Sequence, residues 1–548
     1  AVGHDDPGQR ELIQAALDAG CLEQMERLPH RMMDVASCLE WGGFQHPWPS
    51  LEELYGGSIL RQVPSPLWLE EDGLYALTHV LLFRYGFGLR QVALAAEHRA
   101  ALRRTLTQLL VRSCQDHHWD LLGELLLSWE CVGLDATEIS QRSWQAFFAA
   151  QSNDGAIPGP EWALGLHADQ ARDLDAAGRA EVYFSHHYHT TLVGILAACV
   201  RRQRLERPAA PPLALPSRYP PHGATRPGPA PAPSLPDGAR RARRWLLAQL
   251  DTAAGPAAHA DALHRILLGC ALCDVLDDDG TDGALPIVAG RVAAALVAGC
   301  LEAGPPAAPA LALLGAAILA AQGLFVPSLH GPEGLVSHVA ALLATLPAQD
   351  LETELVLAEK RLLLDALGRH AVPVPADLSP ALAFARALPL AAPAREVEAL
   401  LLRIEAATAY GTRAAEIAAG DRWIGELLGG LAMRSLRQYD LNLACRTLRS
   451  MMYLGGDGGG SLADCSRFLC LHQRPEGAFG FFGIEERKLR ATMPPGFSVD
   501  ADLYLPVTVE CLWTLAEKTG WRLHDGLRSR RRGAAPLPGA LELQLSQA

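Results

Sequence analysis

The chain has 548 residues, 49% hydrophobic and 20% charged, with a formal charge of −13 and only three lysines, Lys360, Lys488 and Lys518. That length suffices for two or more domains with cores of their own, and that composition excludes a disordered chain. A nucleic-acid surface is not expected on the same balance, the basic run Arg528–Arg532 sitting in the tail.

No run of roughly 20 uncharged apolar residues predicts a membrane span, and the Ala1 start has no charged-then-apolar leader. Most cysteines fall inside apolar helical patterns, and Cys270-x2-Cys273 has no second pair to complete a zinc site. Free buried thiols in a reducing cytoplasm are expected. The richness in Ala, Arg and Pro is that of a high-GC bacterial genome.

From Pro7 to Glu206 apolar residues recur three and four apart, which predicts helices over 11–19, 51–61, 73–85, 91–114, 120–131, 139–150 and 186–202. Gly42-Gly43, Pro47-Trp48-Pro49, Asn153-Asp154-Gly155 and Pro158-Gly159-Pro160 separate them as turns. Residues 207–238, rich in proline, read as an extended linker. Helical periodicity returns over 239–523, with segments at 241–253, 258–276, 287–301, 308–322, 335–346, 351–367, 396–410, 422–439, 442–452, 461–472 and 504–518, and residues 524–548 read as a loose tail. The fold class expected is all-α: an N-terminal helical domain over 1–206 and a C-terminal one over 239–523.

Three stretches recur in the same order in both halves. WDLLGELLLSWECVGL at Trp119–Leu134 pairs with YDLNLACRTLRSMMYLGG at Tyr439–Gly456, which sets Asp120 against Asp440. Gln151-x3-Gly155-x-Ile157 pairs with Gln473-x3-Gly477-x-Phe479, and YFSHHYHTTLV at Tyr183–Val193 with the degenerate DLYLPVTVECLW at Asp502–Trp513, which sets His189 against Leu505. Two diverged copies of one helical layout account for this. The Gln-x3-Gly-x-apolar strings resemble the repeat of terpenoid cyclases and protein prenyltransferase β-subunits; Ile157 departs from the aromatic that this repeat carries. The resemblance covers only those strings and implies repeated helical hairpins forming an α/α toroid or two helical arcs.

The first copy holds polar residues that the second lacks. His79 lies on the apolar helix at 73–85; Asp120 and Glu124 are four apart and share a helical face; His186 and His189 are three apart, with Ser185 placed to cap a helix starting at His186. An imidazole in a first helical turn is kept neutral by the dipole, the form that binds metal. His79, Asp120, His189 and His186 are the expected ligands of iron, zinc or manganese, with Glu124 as ligand or general base and Asp120 shared between both roles. A structural reading stands beside this one, with His79 as a hydrogen-bonded core histidine and Asp120 as a helix cap like Asp440.

Asp278-Asp279-x2-Asp282 forms the D-D-x-x-D pattern that holds magnesium diphosphate in class I terpene synthases, and Asp502-x3-Pro506-x3-Glu510 resembles their second magnesium motif with proline in place of the hydroxyl residue. The function expected is therefore a metal-dependent enzyme of bacterial specialised metabolism acting on an apolar or peptide-like small molecule. The alternatives are a terpenoid-cyclase-like enzyme, magnesium-dependent or cofactor-free, and a non-catalytic helical scaffold that binds a partner.

Overall fold

The computed structural model describes residues 6–22, 26–163, 165, 174–206, 235–253, 377–413, 415, 417–456, 458–480, 487, 491–492 and 499–518. Every regular element among them is helical, and none of these helices is long and apolar enough to cross a membrane. The helices expected between 258 and 367, together with Cys270, Cys273, Asp278, Asp279 and Asp282, lie outside the described residues. The chain divides into two compact units, Ala1–Ala224 with Pro389–Ala392, and Thr225–Leu388 with Pro393–Ala548.

The first unit contains α1 (Pro7–Asp18), α2 (Pro29–Gly42), α3 (Leu51–Gly57), α4 (Glu71–Arg84), α5 (Ala96–Gln115), α6 (Trp119–Val132), α7 (Glu138–Ala149), the short α8 (Pro160–Ala163) and α9 (Ala176–Glu206). Helix α6 is apolar almost all round, and a helix of that kind must be enclosed. All but one of its residues are buried, against α4, α5, α7 and α9. It starts where the His118 Nδ1 accepts from the Leu121 N–H (3.2 Å) and stops at Gly133, whose φ of 69° ends the helical run.

Glycine lets α6 and α9 come close. A Cβ on Gly123 would sit 2.9 Å from Val193 Cγ1, and one on Gly194 would sit 2.8 Å from Ile157 Cδ1 and 3.0 Å from Phe147 Cε1. Phe147 of α7, fully buried, fills the space that both glycines leave.

Helix α9 starts ten residues before His186. Asp175 Oδ1 accepts from the Gly178 N–H at 2.8 Å, the bond of a helix cap, and the Ser185 hydroxyl only donates back to the Val182 carbonyl. His186 and His189 are therefore interior residues of a long helix, out of reach of the dipole effect expected at a first turn.

The second unit contains α10 (Leu235–Ala253), α11 (Ser379–Ala387), α12 (Ala394–Ala407), α13 (Trp423–Arg437), α14 (Leu441–Tyr453), α15 (Ser461–Leu471) and α16 (Leu505–Glu517). Leu235–Gly238, read from sequence as the end of the linker, already belong to α10. Helix α14 packs on α12, α13 and α16, as α6 does on α4, α5 and α9.

The junctions of the two units are built alike. After α4, Gly86, Phe87 and Gly88 are left-handed in succession (φ 51°, 52° and 83°); after α12, Ala409, Tyr410 and Gly411 are (φ 46°, 52° and 75°). Phe87 N–H bonds the Leu82 carbonyl, as Tyr410 N–H bonds that of Glu405. Between α5 and α6, His117 (φ 52°) precedes the capping His118; between α13 and α14, Tyr439 (φ 58°) precedes the capping Asp440, whose Oδ1 accepts from Leu443 N–H at 3.1 Å. Gln151 and Gln473 each donate to the carbonyl four residues on, of Gly155 and Gly477, at 2.7 Å. Ile157 and Phe479 N–H groups each donate to a threonine hydroxyl, Thr191 and Thr508, at 2.9 Å.

These bonds correct the register read from sequence. His118, and not Asp120, is the counterpart of Asp440, so Asp120 and Glu124 stand opposite Asn442 and Arg446. Thr191 matches Thr508, so His189 stands opposite Pro506 and not Leu505. The aromatic-Asp pairs Trp119-Asp120 and Tyr439-Asp440 look equivalent but lie two residues out of phase.

Because the α6–α9 contact depends on a missing side chain, Gly194→Val is expected to destabilise the protein by about 1–3 kcal/mol through overpacking against Phe147 and Ile157. Chemical denaturation followed by circular dichroism checks this, and an unchanged midpoint would contradict the close approach.

Candidate functional site

Three helices of the first unit bring polar side chains to one place. From α6 come Asp120 and Glu124, one turn apart and both buried. Helix α4 supplies Tyr75, Thr78 and His79, and α9 supplies His189 and Thr190.

Each carboxylate is held from behind by hydroxyl groups. The Tyr75 phenol donates to Asp120 Oδ2 at 2.8 Å and the Thr190 hydroxyl to Asp120 Oδ1 at 3.1 Å. The Thr78 hydroxyl donates to Glu124 Oε2 at 2.5 Å. Imidazoles face the front: His189 Nε2 stands 3.6 Å from Asp120 Oδ1 and 3.8 Å from Glu124 Oε1, and His79 Nε2 stands 3.5 Å from Glu124 Oε1.

The ionisation of the cluster follows from these neighbours. Burial works to raise the Glu124 carboxyl, but His189, His79 and the Thr78 hydroxyl outweigh it together and hold it at about 2. Glu124, and then Asp120, raise the His189 imidazole against the opposing effect of its own partial burial. Burial and the charge of Asp120 push the Tyr75 phenol well above its ordinary range, so it remains a donor at any working pH.

The cluster forms part of the wall of a cavity of about 780 Å³, within the size range of small-molecule sites. Much of the remaining lining is small or apolar, including Gly57, Ile59, Gly73, Ala76 and Val80, and His30 and Arg31 from the start of α2 line it too. Burial, then the charges of Arg31 and His79, lower the His30 imidazole and keep it neutral near pH 7.

Of the residues singled out from sequence, the donor atoms of Asp120, Glu124 and His189 all lie within 4.8 Å of one another. His79 adjoins them through Glu124. His186 does not join them: its ring packs against Trp162 of α8 (6.1 Å between centroids), its carbonyl accepts from the Gly159 N–H, and it is not part of the cavity wall. Sequence reasoning missed Tyr75, Thr78, Thr190 and His30. Two of these are the threonines next to His79 and His189, where a short hydroxyl beside a candidate ligand was the available signal.

The donor set suits a divalent ion. Ligands at about 2.1 Å in tetrahedral array lie about 3.4 Å apart, close to the 3.6 and 3.8 Å separations from His189. Two carboxylates and one imidazole fit zinc, manganese or iron, and the hydroxyl bonds behind the carboxylates orient them.

Residues 1–199 match the family described as a domain of unknown function, DUF6895. That stretch contains every residue of the cluster. No curated protein and no solved structure matches the chain.

In the second unit the corresponding place is occupied differently. Arg446, opposite Glu124, pairs with buried Glu405 at 2.9 Å. One turn on, buried Arg449 bonds Glu510 at 2.6 Å and Thr514 at 2.9 Å and lies 4.0 Å over the Trp513 ring. Glu510, read from sequence as part of a second magnesium motif, is thus engaged by Arg449; the side chain of Asp502 lies outside the described residues.

The pH dependence of the cluster is set by two groups. Glu124, lowered from 4.5 to about 2, contributes stability that is complete above pH 4.5 and lost as pH falls towards 2, on the order of 3 kcal/mol. His189, raised above 6.5, contributes stability that is complete below 6.5 and lost as pH climbs through its raised value. The stability difference between the wild type and Glu124→Gln is therefore expected to be largest between about pH 4.5 and 6.5 and to shrink on both sides. Urea titrations across that range test it; a difference independent of pH would contradict the arrangement.

Proposed function

We propose that the protein is a metal-dependent enzyme whose first unit binds one divalent ion through Asp120, Glu124 and His189 and acts on an apolar or peptide-like small molecule in the adjoining cavity. The observation that carries this reading is the convergence of two buried carboxylates and an imidazole, within 4.8 Å of one another, on the wall of a cavity of ligand size. A purely structural cluster would gain little from leaving its imidazole edge open to a cavity.

A divalent ion bound there would lower the pKa of a bound water or polarise a substrate carbonyl. The chain's own groups divide the remaining tasks. Tyr75, Thr78 and Thr190 fix the carboxylate orientations. His79, beside Glu124 and lining the cavity, is placed to take or give a proton as general base or acid. The apolar wall shelters the reacting group from bulk water. The recurring helical hairpins, in which α6 and α14 are the enclosed helices, are read as those of an α/α toroid or of two arcs.

The test is metal binding by protein purified without chelators. One zinc, manganese or iron per chain is expected by elemental analysis, with loss of the ion in Asp120→Asn and His189→Ala. Retention with at most about 100-fold weaker affinity is expected in Thr190→Val, which alters only an orienting bond. His79→Ala should keep the metal and lose turnover. A protein that takes up none of the three ions when they are supplied would overturn the proposal.

A further inference from the structure

Helix α9 has a buried face and, opposite it, an exposed apolar one. Its core side presents His187, Thr190, Gly194, Ala197 and Val200, all buried. Its outer side presents Phe184, Tyr188, Leu192 and Ile195, which are 65%, 46%, 58% and 56% exposed, with Phe184 and Tyr188 stacked at 5.2 Å. At 100° per residue these four fall in a band about 80° wide, directly opposite the core face. A helix with a buried face and a large apolar face opposite it belongs between two packing partners, and among the described residues the first unit covers only one of these faces.

The charges at the ends of the band identify the second. Along the same line lie Glu181 at the N-terminal end, then Phe184, Tyr188, Leu192, Ile195, the exposed Cys199, and Arg202 at the C-terminal end. Two copies of α9 laid antiparallel about a two-fold axis between Thr191 and Leu192 put Phe184 against Cys199, Tyr188 against Ile195 and Leu192 against its own symmetry mate. The same register puts Glu181 of each copy against Arg202 of the other. A parallel arrangement would instead set Glu181 on Glu181 and Arg202 on Arg202. The bond that Arg202 makes in the single chain is an exposed one to Glu206 at 3.7 Å, of the kind worth little and readily exchanged.

We infer that the outer face of α9 is a homodimer interface in which two copies of this chain pair antiparallel, Glu181 to Arg202 at each end. The pairing is isologous, so the two ends close on each other and leave no free edge for further growth.

Light scattering on the full chain is expected to give twice the monomer mass, falling to the monomer mass in Leu192→Glu/Ile195→Glu, whose far-UV circular dichroism should be unchanged because both sites face solvent. Register is tested by a cross-link. Phe184→Cys under glutathione redox buffer should give a covalent dimer through the native Cys199 of the other copy, and Phe184→Cys/Cys199→Ser should not. The two thiols cannot meet within one helix, where fifteen residues separate them by about 22 Å. A monomeric chain, or a dimer that persists in the double glutamate variant, would overturn the interface. A wild-type cross-link through Cys199 to Cys199 would overturn the antiparallel register.

Discussion

Two carboxylates buried four residues apart on one helix govern the first unit. Bringing a carboxylate out of water costs several kcal/mol unless donors replace the lost solvent. The donors come from other elements: Tyr75 and Thr78 from α4, Thr190 from α9, with His79 and His189 in front. Asp120 and Glu124 thus determine which faces α4 and α9 turn inward. The glycines at 123 and 194 let α9 come close to α6.

The second unit shows what the same scaffold does without that demand. Several of its turns repeat the bonds of the first unit, yet at the position of Glu124 it carries Arg446, answered by Glu405 where α4 carries Leu82. Charge is still buried and still paired, but as arginine–carboxylate pairs, Arg449 with Glu510 and Arg446 with Glu405. Pairs of this kind tie one helix to another. The first unit's cluster instead turns one side toward a cavity, and that difference separates the two units more than anything in their backbone.

Much of the helical layout was legible in the sequence because it follows from apolar period and turn residues. The apolar run that predicts a helix over 120–131 needs no tertiary knowledge, and the four-residue spacing of Asp120 and Glu124 placed them on one face. What could not be read was phase between elements. His186 looked equivalent to His189, yet α8 places Trp162 against it and removes it from the cavity. The start of α9 was missed because residues 175–182 are small and polar, without an apolar period, and the Asp175 cap alone marks the boundary. The repeat was visible, but its register was misread, since the aromatic-Asp pairs imitate an alignment that the left-handed His117 and Tyr439 contradict.

His189 differs from the residues it faces in one respect: its side chain is 57% exposed, whereas those of Asp120 and Glu124 are almost wholly buried. The most exposed side chain of the cluster is therefore also one that can move without the helices moving. An imidazole at the surface rotates on the picosecond to nanosecond scale, whereas separating packed helices takes microseconds or longer. Anything that exchanges with the two carboxylates past that imidazole is limited by a ring flip and by diffusion, and the packing of α6 against α4 and α9 stays undisturbed while it comes and goes.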